Sequence, residues 1–278
     1  MFGVNLSTGA IDQICQRTRD ALAGPHLQLQ DRVLDQGALH VDETGWRTAG
    51  DSRALWTLTS AAAASFQIAE HCDREQFDAL IGSYPGIIVS DRWPGYEHLD
   101  PPSRQVCWSH LQRDFRRHSE GLAEQQTFGE QGLELTGRVF EAWRDYQHNH
   151  HNRQQLKTEV KAIQSELRLL VQHAARKSPR TRHHRRFANN LIKVWPALWT
   201  FTTNPSVEPT NNPAERALRG PVIHRNLSQG TRSNEGERFA ERVLSAATTC
   251  RLQQRSLFAY LRELLVAHNR GDPFPALI

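Results

Sequence analysis

GIIVSD (86–91) is a short run of β-branched residues that ends in an acid. A run this apolar, with no polar alternation, suits a strand buried on both faces of a sheet. The flanking sequence agrees. Upstream, ALHVD (38–42) reads as a short strand ending in acid, and RALWTLTS (53–60) and SFQIAEHC (65–72) alternate as half-buried strands do. Asp73 then caps a helix through REQFDALI, with Gly82 as its stop. Downstream, RQVCW (104–108) is a further short strand that leads into a helix through HLQRDFRR.

Strands in succession, a helix, and more strands specify an α/β fold with a mixed sheet flanked by helices. Residues 5–36 read as a helix that starts near Ser7 or Thr8 and breaks around Gly24-Pro25. From about residue 117 to 205 the strand signal disappears, and 130–175 has the Glu, Gln, Arg and Leu content of long helices. NNPAERALRG (211–220) begins a short helix, and two final helices follow. The expected organisation is a helical segment (1–37), the first part of a core (38–116), an all-helical insertion (117–207) and the C-terminal part of the core (208–278).

The composition is that of a globular protein, with 38% hydrophobic and 23% charged residues. No stretch of about 18 apolar residues exists, so no membrane span is expected. The start, MFGVNLSTGAIDQ, has neither a basic n-region nor an apolar secretion segment, and a cytoplasmic location is the default reading. Of 34 basic residues only four are Lys (157, 161, 177, 193). Arginine's planar fork suits phosphate, though a GC-rich genome raises Arg as well. Cys15, Cys72, Cys107 and Cys250 form no CxxC pair and are read as thiols. His148, His150 and His151, and the pair His183-His184, sit in polar sequence and are read as solvated faces rather than metal sites.

Three acids stand out by position: Asp42 at the end of the first strand, Asp91 closing the buried strand, and Glu215 near a helix start. Carboxylates at neighbouring strand ends, completed by a third from a packed helix, make an oxygen cage that suits Mg²⁺. Gathered without metal they would repel one another. Each acid also has a plain structural reading. Asp42 or Asp91 can start a turn, and Glu215 can be a capping-box acid with Asn212 as cap and Pro213 first in the helix. Glu43 adjoins Asp42 but points to the opposite face of a strand, and Asp114 can pair with Arg113 or Arg117.

HVDETGWR, VSDRWPGYEHL, RQVCWSHLQRDFRR, EPTNNPAERALR and GTRSNEGERFAERVLSAATTCRLQQRSLFAYL occur in this order over nearly the whole chain. Together they resemble successive blocks of the IS66-family transposases. The resemblance implies an RNase H-like core with a helical insertion before the last catalytic acid, and a DDE triad on Asp42, Asp91 and Glu215. It also implies two Mg²⁺ ions, replaceable by Mn²⁺, held by those acids. The implied partners are transposon-end DNA, target DNA, further copies of the chain and other transposition proteins of the same element. Family members commonly carry an additional N-terminal region with a cysteine-rich zinc segment. The lone Cys15 makes no such site, and recognition of the element's ends is left open.

Phosphate-holding candidates are Arg92, Arg113, Arg116, Arg216, Arg219, Arg225, Arg232 and His110. Trp93, Tyr96 and Trp108 are read as core residues in preference to base-stacking platforms. The run AARKSPRTRHHRR (174–186) carries six Arg or Lys and no acid, and is either a contact to the DNA backbone or a solvated loop. Two other functions remain open: an RNase H-like nuclease without strand transfer, and a non-catalytic DNA-binding relic or regulator of a complete transposase.

Overall fold

A computed structural model describes residues 5–277. The chain is mixed α/β, with five strands among the described residues, in antiparallel and parallel pairs flanked by helices. It divides into two compact units, one made of Met1–Gly86 with Asn212–Ile278 and the other of Ile87–Asn211.

The first unit opens with α1 (Thr8–Ala21), capped by Ser7, and α2 (Ala23–Leu34). The break falls at Leu22, slightly before the expected Gly24-Pro25. Pro25 lies in the first turn of α2, where a missing N–H removes no intrahelical bond. Three antiparallel strands follow: β1 (Ala38–Thr48), β2 (Asp51–Thr59) and β3 (Ala64–Ala69). β1 is much longer than ALHVD. It continues past Gly45 and pairs with β2 as far as Thr48↔Asp51. The two-residue loop Ala49-Gly50 has φ of 52° and 96°, the conformation that matches the twist of a hairpin. Asp42 is therefore a mid-strand residue opposite Thr57, not a strand-end residue. The polar letters of ETGWRT hid the continuation, although Trp46 and Thr48 on its inner face are buried.

α3 (Arg74–Ile81) has the expected cap, with Asp73 accepting from the Gln76 N–H at 2.9 Å, and ends at Gly82 with φ of 53°. The remainder of this unit is α9 (Asn212–Ser228), α10 (Asn234–Leu252) and α11 (Leu257–Arg270). Apolar residues of α9 and α10 join Trp46, Leu55 and Phe66 in one core, so these two helices cover one face of the strands.

β3 is an edge strand, and its outward N–H groups need partners. α10 supplies them from one face. Thr249 Oγ1 accepts from Ala64 N–H at 3.1 Å, Ser245 Oγ from Phe66 at 2.9 Å and Glu241 Oε1 from Ile68 at 2.6 Å. Four helical residues rise about 6 Å, close to the advance of two strand residues, so the two ladders stay in step.

Burial pushes Glu241 up to about 7, while burial and then Arg242 push His26 down to about 4. The two act in opposite directions. His26 supports the fold above its ordinary value of about 6.5 and loses that support as pH falls toward 4. Glu241 supports it below about 4.5 and loses that support as pH rises through 7. Glu241→Gln keeps the acceptor for Ile68 without the titration. Relative to wild type it should gain about 3 kcal/mol between pH 4.5 and pH 7 in urea melts. A constant difference across that range would contradict this prediction.

The second unit contains β4 (Ile87–Ser90) and β5 (Arg104–Val106), which pair in parallel, followed only by helices among the described residues. These are α4 (Trp108–Ser119), α5 (Glu124–Gln147), α6 (Arg153–Ala175), α7 (Arg185–Lys193) and the short α8 (Thr200–Thr203). α6 begins with a full capping box between Asn152 and Gln155. Trp108 and Tyr96 are fully buried, and the Trp108 Nε1–H donates to the Leu198 carbonyl at 2.8 Å. His184 departs from the solvated-face reading. It is buried and stacks on Phe128 at 4.7 Å between centroids. His118 stacks on Phe187 at 5.2 Å in the same aromatic cluster. Burial lowers the pKa of both imidazoles and favours the neutral rings that such stacks need.

Candidate active site

In the first unit, Asp42 and Glu215 stand on elements packed against each other, β1 and α9. Residues of equal parity share a strand face, so Asp42 lies on the face of Thr44, Trp46 and Thr48. Trp46 belongs to the core formed with Ala217 and Leu218 of α9, so α9 covers the face that carries Asp42. Glu43 is on the opposite face. Glu215 occupies the first turn of α9, where the helix dipole favours a negative group, and both it and Asp42 are half-buried. The register of α9 on β1 is held further along by Arg225, whose Nη1 donates to Thr44 Oγ1 at 3.1 Å and to the Gly45 carbonyl. Arg225 is therefore a brace between helix and strand rather than an exposed phosphate ligand. Beyond it, the Thr231 N–H donates to the Arg47 carbonyl and the Ala49 N–H to the Thr231 carbonyl, both at 2.9 Å. Arg216, Arg219 and Arg232 are exposed.

In the second unit, Asp91 directly follows β4 and is half-buried. Its Oδ1 accepts from the Trp93 N–H at 2.8 Å, which forms the turn that the plain structural reading anticipated. Its carbonyl accepts from Arg104 Nη2 at 2.6 Å and Ser90 Oγ at 3.1 Å. Arg104 braces this turn, a contact that the sequence reading missed. It is 2% exposed and also donates to the Tyr96 carbonyl at 3.0 Å and Ser90 Oγ at 3.3 Å, binding the start and end of the turn that carries Asp91. Burial pushes its guanidinium down to about 10, which leaves it charged at neutral pH. No pattern marked it, because an Arg at the head of a three-residue strand reads as a solvated flank.

Arg92 likewise turns inward. It pairs with Asp114, donates to Asn190 Oδ1 at 2.6 Å and lies over the Phe187 ring at 4.7 Å. Asp114 pairs with Arg117 at 3.7 Å as well, in line with one of its expected partners. His110 Nε2 is 2.8 Å from Arg113 Nη2, while Arg113 and Arg116 are exposed. Cys107 and His110 bring a thiol and an imidazole nitrogen within 4.8 Å at the start of α4, a softer donor pair than Mg²⁺ prefers.

The family model described as "Transposase IS66 family" matches residues 1–238. The chain belongs to the IS66 family of transposases. The match takes in all three acids and both units. Among curated proteins, the chain is 23% identical over 300 positions to an uncharacterised protein, y4hP, of Sinorhizobium fredii (strain NBRC 101917 / NGR234). That alignment covers 95% of this chain and 53% of the relative, so this IS66-family chain spans about half the length of the curated relative it matches. No helix among the described residues is long and apolar enough to cross a membrane.

Proposed function

We propose that this IS66-family chain is the catalytic part of a DDE transposase, with Asp42, Asp91 and Glu215 as its acidic triad. In this reading residues 38–116 and 208–278 form an RNase H-like core, 1–37 precede it, and 117–207 are a helical insertion. The observation that carries the reading is that α9, which bears Glu215, covers the face of β1 that bears Asp42.

The donor set fits a hard divalent cation: three half-buried carboxylates offer oxygen only. Two Mg²⁺ ions, or Mn²⁺ in their place, would supply activation of the attacking oxygen and neutralisation of the leaving one. The chain's own part is to fix the three carboxylates. Arg104 holds the Asp91 turn, Arg225 holds α9 on β1, and the β1–β2 ladder holds Asp42. Water opens a phosphodiester at the transposon end and leaves a 3′-OH. That hydroxyl then attacks a phosphorus of target DNA in line at the same site, forming the new phosphodiester while the target strand's own 3′-oxygen leaves as a hydroxyl. Arg113, Arg116, Arg216, Arg219, Arg232 and His110 are the side chains proposed to hold phosphates. Joining two ends requires cooperating copies of the chain, and other proteins of the element can assist. A soluble, nucleoid-associated location in the bacterial cytoplasm follows from that chemistry.

The test is an Mg²⁺-dependent nicking assay on end-bearing DNA, followed by strand transfer with pre-cut ends. Asp42→Asn, Asp91→Asn and Glu215→Gln should each lower the cutting rate by at least about 10³-fold while duplex affinity holds within a few fold. Full cutting by the Asp91→Asn protein would refute the assignment. Nicking without strand transfer would favour the simple nuclease.

A further inference from the structure

We infer that the second unit carries a second DNA site, a groove that grips the duplex backbone without reading sequence. The groove encloses about 970 Å³ between α4, α7 and the turns before them, far more than one phosphate needs. Six cationic side chains line it: Arg92, Arg117, Arg182, Arg185, Arg186 and Lys193. Only two carboxylates face them, Glu97 and Asp114, and the surplus of four equals the formal net charge of the whole chain. Both carboxylates are engaged within the unit. Asp114 pairs with Arg92 and Arg117, and Glu97 accepts from Asn190 Nδ2 at 3.3 Å. Among the described residues, Arg182, Arg185, Arg186 and Lys193 form no ion pair with a carboxylate, so their charge is available to a ligand.

The arrangement suits a polymer of phosphates. Five of the six cations are Arg, whose fork meets phosphate oxygens in pairs. Arg185, Asn189 and Lys193 lie four residues apart on α7, so donors recur about every 6 Å, on the scale of two nucleotide steps of about 3.4 Å. The floor beneath them is rigid, because α7 is pinned by His184 on Phe128 and by Phe187 against Phe115. Three of the six cations, Arg182, Arg185 and Arg186, come from the C-terminal end of the basic run 174–186. Such contacts position a duplex and carry no sequence information. The choice of DNA as polymer rests on the transposase reading.

The test uses the full chain with Asp91→Asn, in EDTA, and a labelled duplex of random sequence about 30 base pairs long. Binding is read by anisotropy between roughly 50 and 200 mM salt, so an inactive protein still tests the groove. The triple variant Arg182→Ala, Arg186→Ala, Lys193→Ala should weaken binding at least 10-fold at the lower salt. It should also reduce the slope of log Kd against log salt by about 2.7, near 0.9 for each of the three lost contacts. Should the alanine set unfold, the triple Gln variant, which keeps the aliphatic stems, carries the same expectation. Unchanged affinity and slope would overturn the inference. So would displacement of the duplex by poly-glutamate as effectively as by unlabelled DNA, which would mark a site for an acidic protein.

Discussion

Arg104→Met should lower the stability of the chain by about 3 kcal/mol and cut nicking by more than 10-fold under conditions where the variant is still folded. The side chain is 2% exposed, and methionine fills much the same volume. What changes is the hydrogen bonding. The carbonyls of Asp91 and Tyr96 lose a charged donor at 2.6 and 3.0 Å and keep only Ser90 Oγ at 3.1 Å and the Leu99 N–H at 3.2 Å, and a hydrogen bond to a charged group contributes about 1.5–3 kcal/mol. Relief from burying a charge offsets part of that cost. The effect on nicking has a different origin. Asp91 sits one residue beyond β4 and is held from both sides, by Arg104 on its carbonyl and by the Trp93 N–H on its carboxylate. Releasing one side lets the carboxylate drift, and small misplacements of a catalytic group are expensive. Arg104→Lys keeps charge without the fork and should fall between the two. Urea melts and nicking rates check both parts. A Met variant with wild-type stability and rate would remove Arg104 from the account.

Gly129→Ala should destabilise the second unit by about 3 kcal/mol, although alanine is the better helix former by about 1 kcal/mol. A Cβ at Gly129 would lie 2.1 Å from the Ser119 nitrogen and 2.6 Å from the His118 carbonyl carbon. Those are backbone atoms of α4 and its end, and they cannot swing aside. Three residues on, a Cβ at Gly132 would meet the ring of buried Phe115 at 2.0 Å. The two glycines let α5 approach α4 closely, beneath the aromatic cluster that positions α7. Gly137 is in the same helix, and a Cβ there would meet nothing within 4 Å, so Gly137→Ala should be neutral or stabilising by up to about 1 kcal/mol. The same substitution thus has opposite signs eight residues apart. Thermal melts showing equal shifts for the two variants would contradict the helix contact described here.

The strands were legible wherever burial follows a simple period. GIIVSD reads as buried because it has no polar face; RALWTLTS reads as a strand because it alternates, but it is buried on both faces from Ala54 to Thr59 and not half-buried as that alternation suggested. Asp73 and Gly82 mark α3 because caps act locally. The misreadings share one cause: the deciding partner is distant in sequence. β1 runs through polar ETGWRT because α9 and the loop around Thr231 cover that stretch. His184 is buried inside the most basic run of the chain because Phe128, on another helix, receives its ring. Arg225, read as facing DNA, turns inward to β1, and Arg92 at the groove is already paired with Asp114. For the candidate site, motif and resemblance named the acids, but neither could show what braces them. Arg104 became visible only once its three acceptors were in place.

The account depends on three carboxylates forming one divalent-metal pocket. Crystals of the full chain soaked in Mn²⁺, with anomalous data collected near the manganese edge, test that directly. Anomalous peaks about 2 Å from carboxylate oxygens of Asp42, Asp91 and Glu215 are the predicted result. Saturating Mn²⁺ with no peak among these three side chains would contradict it.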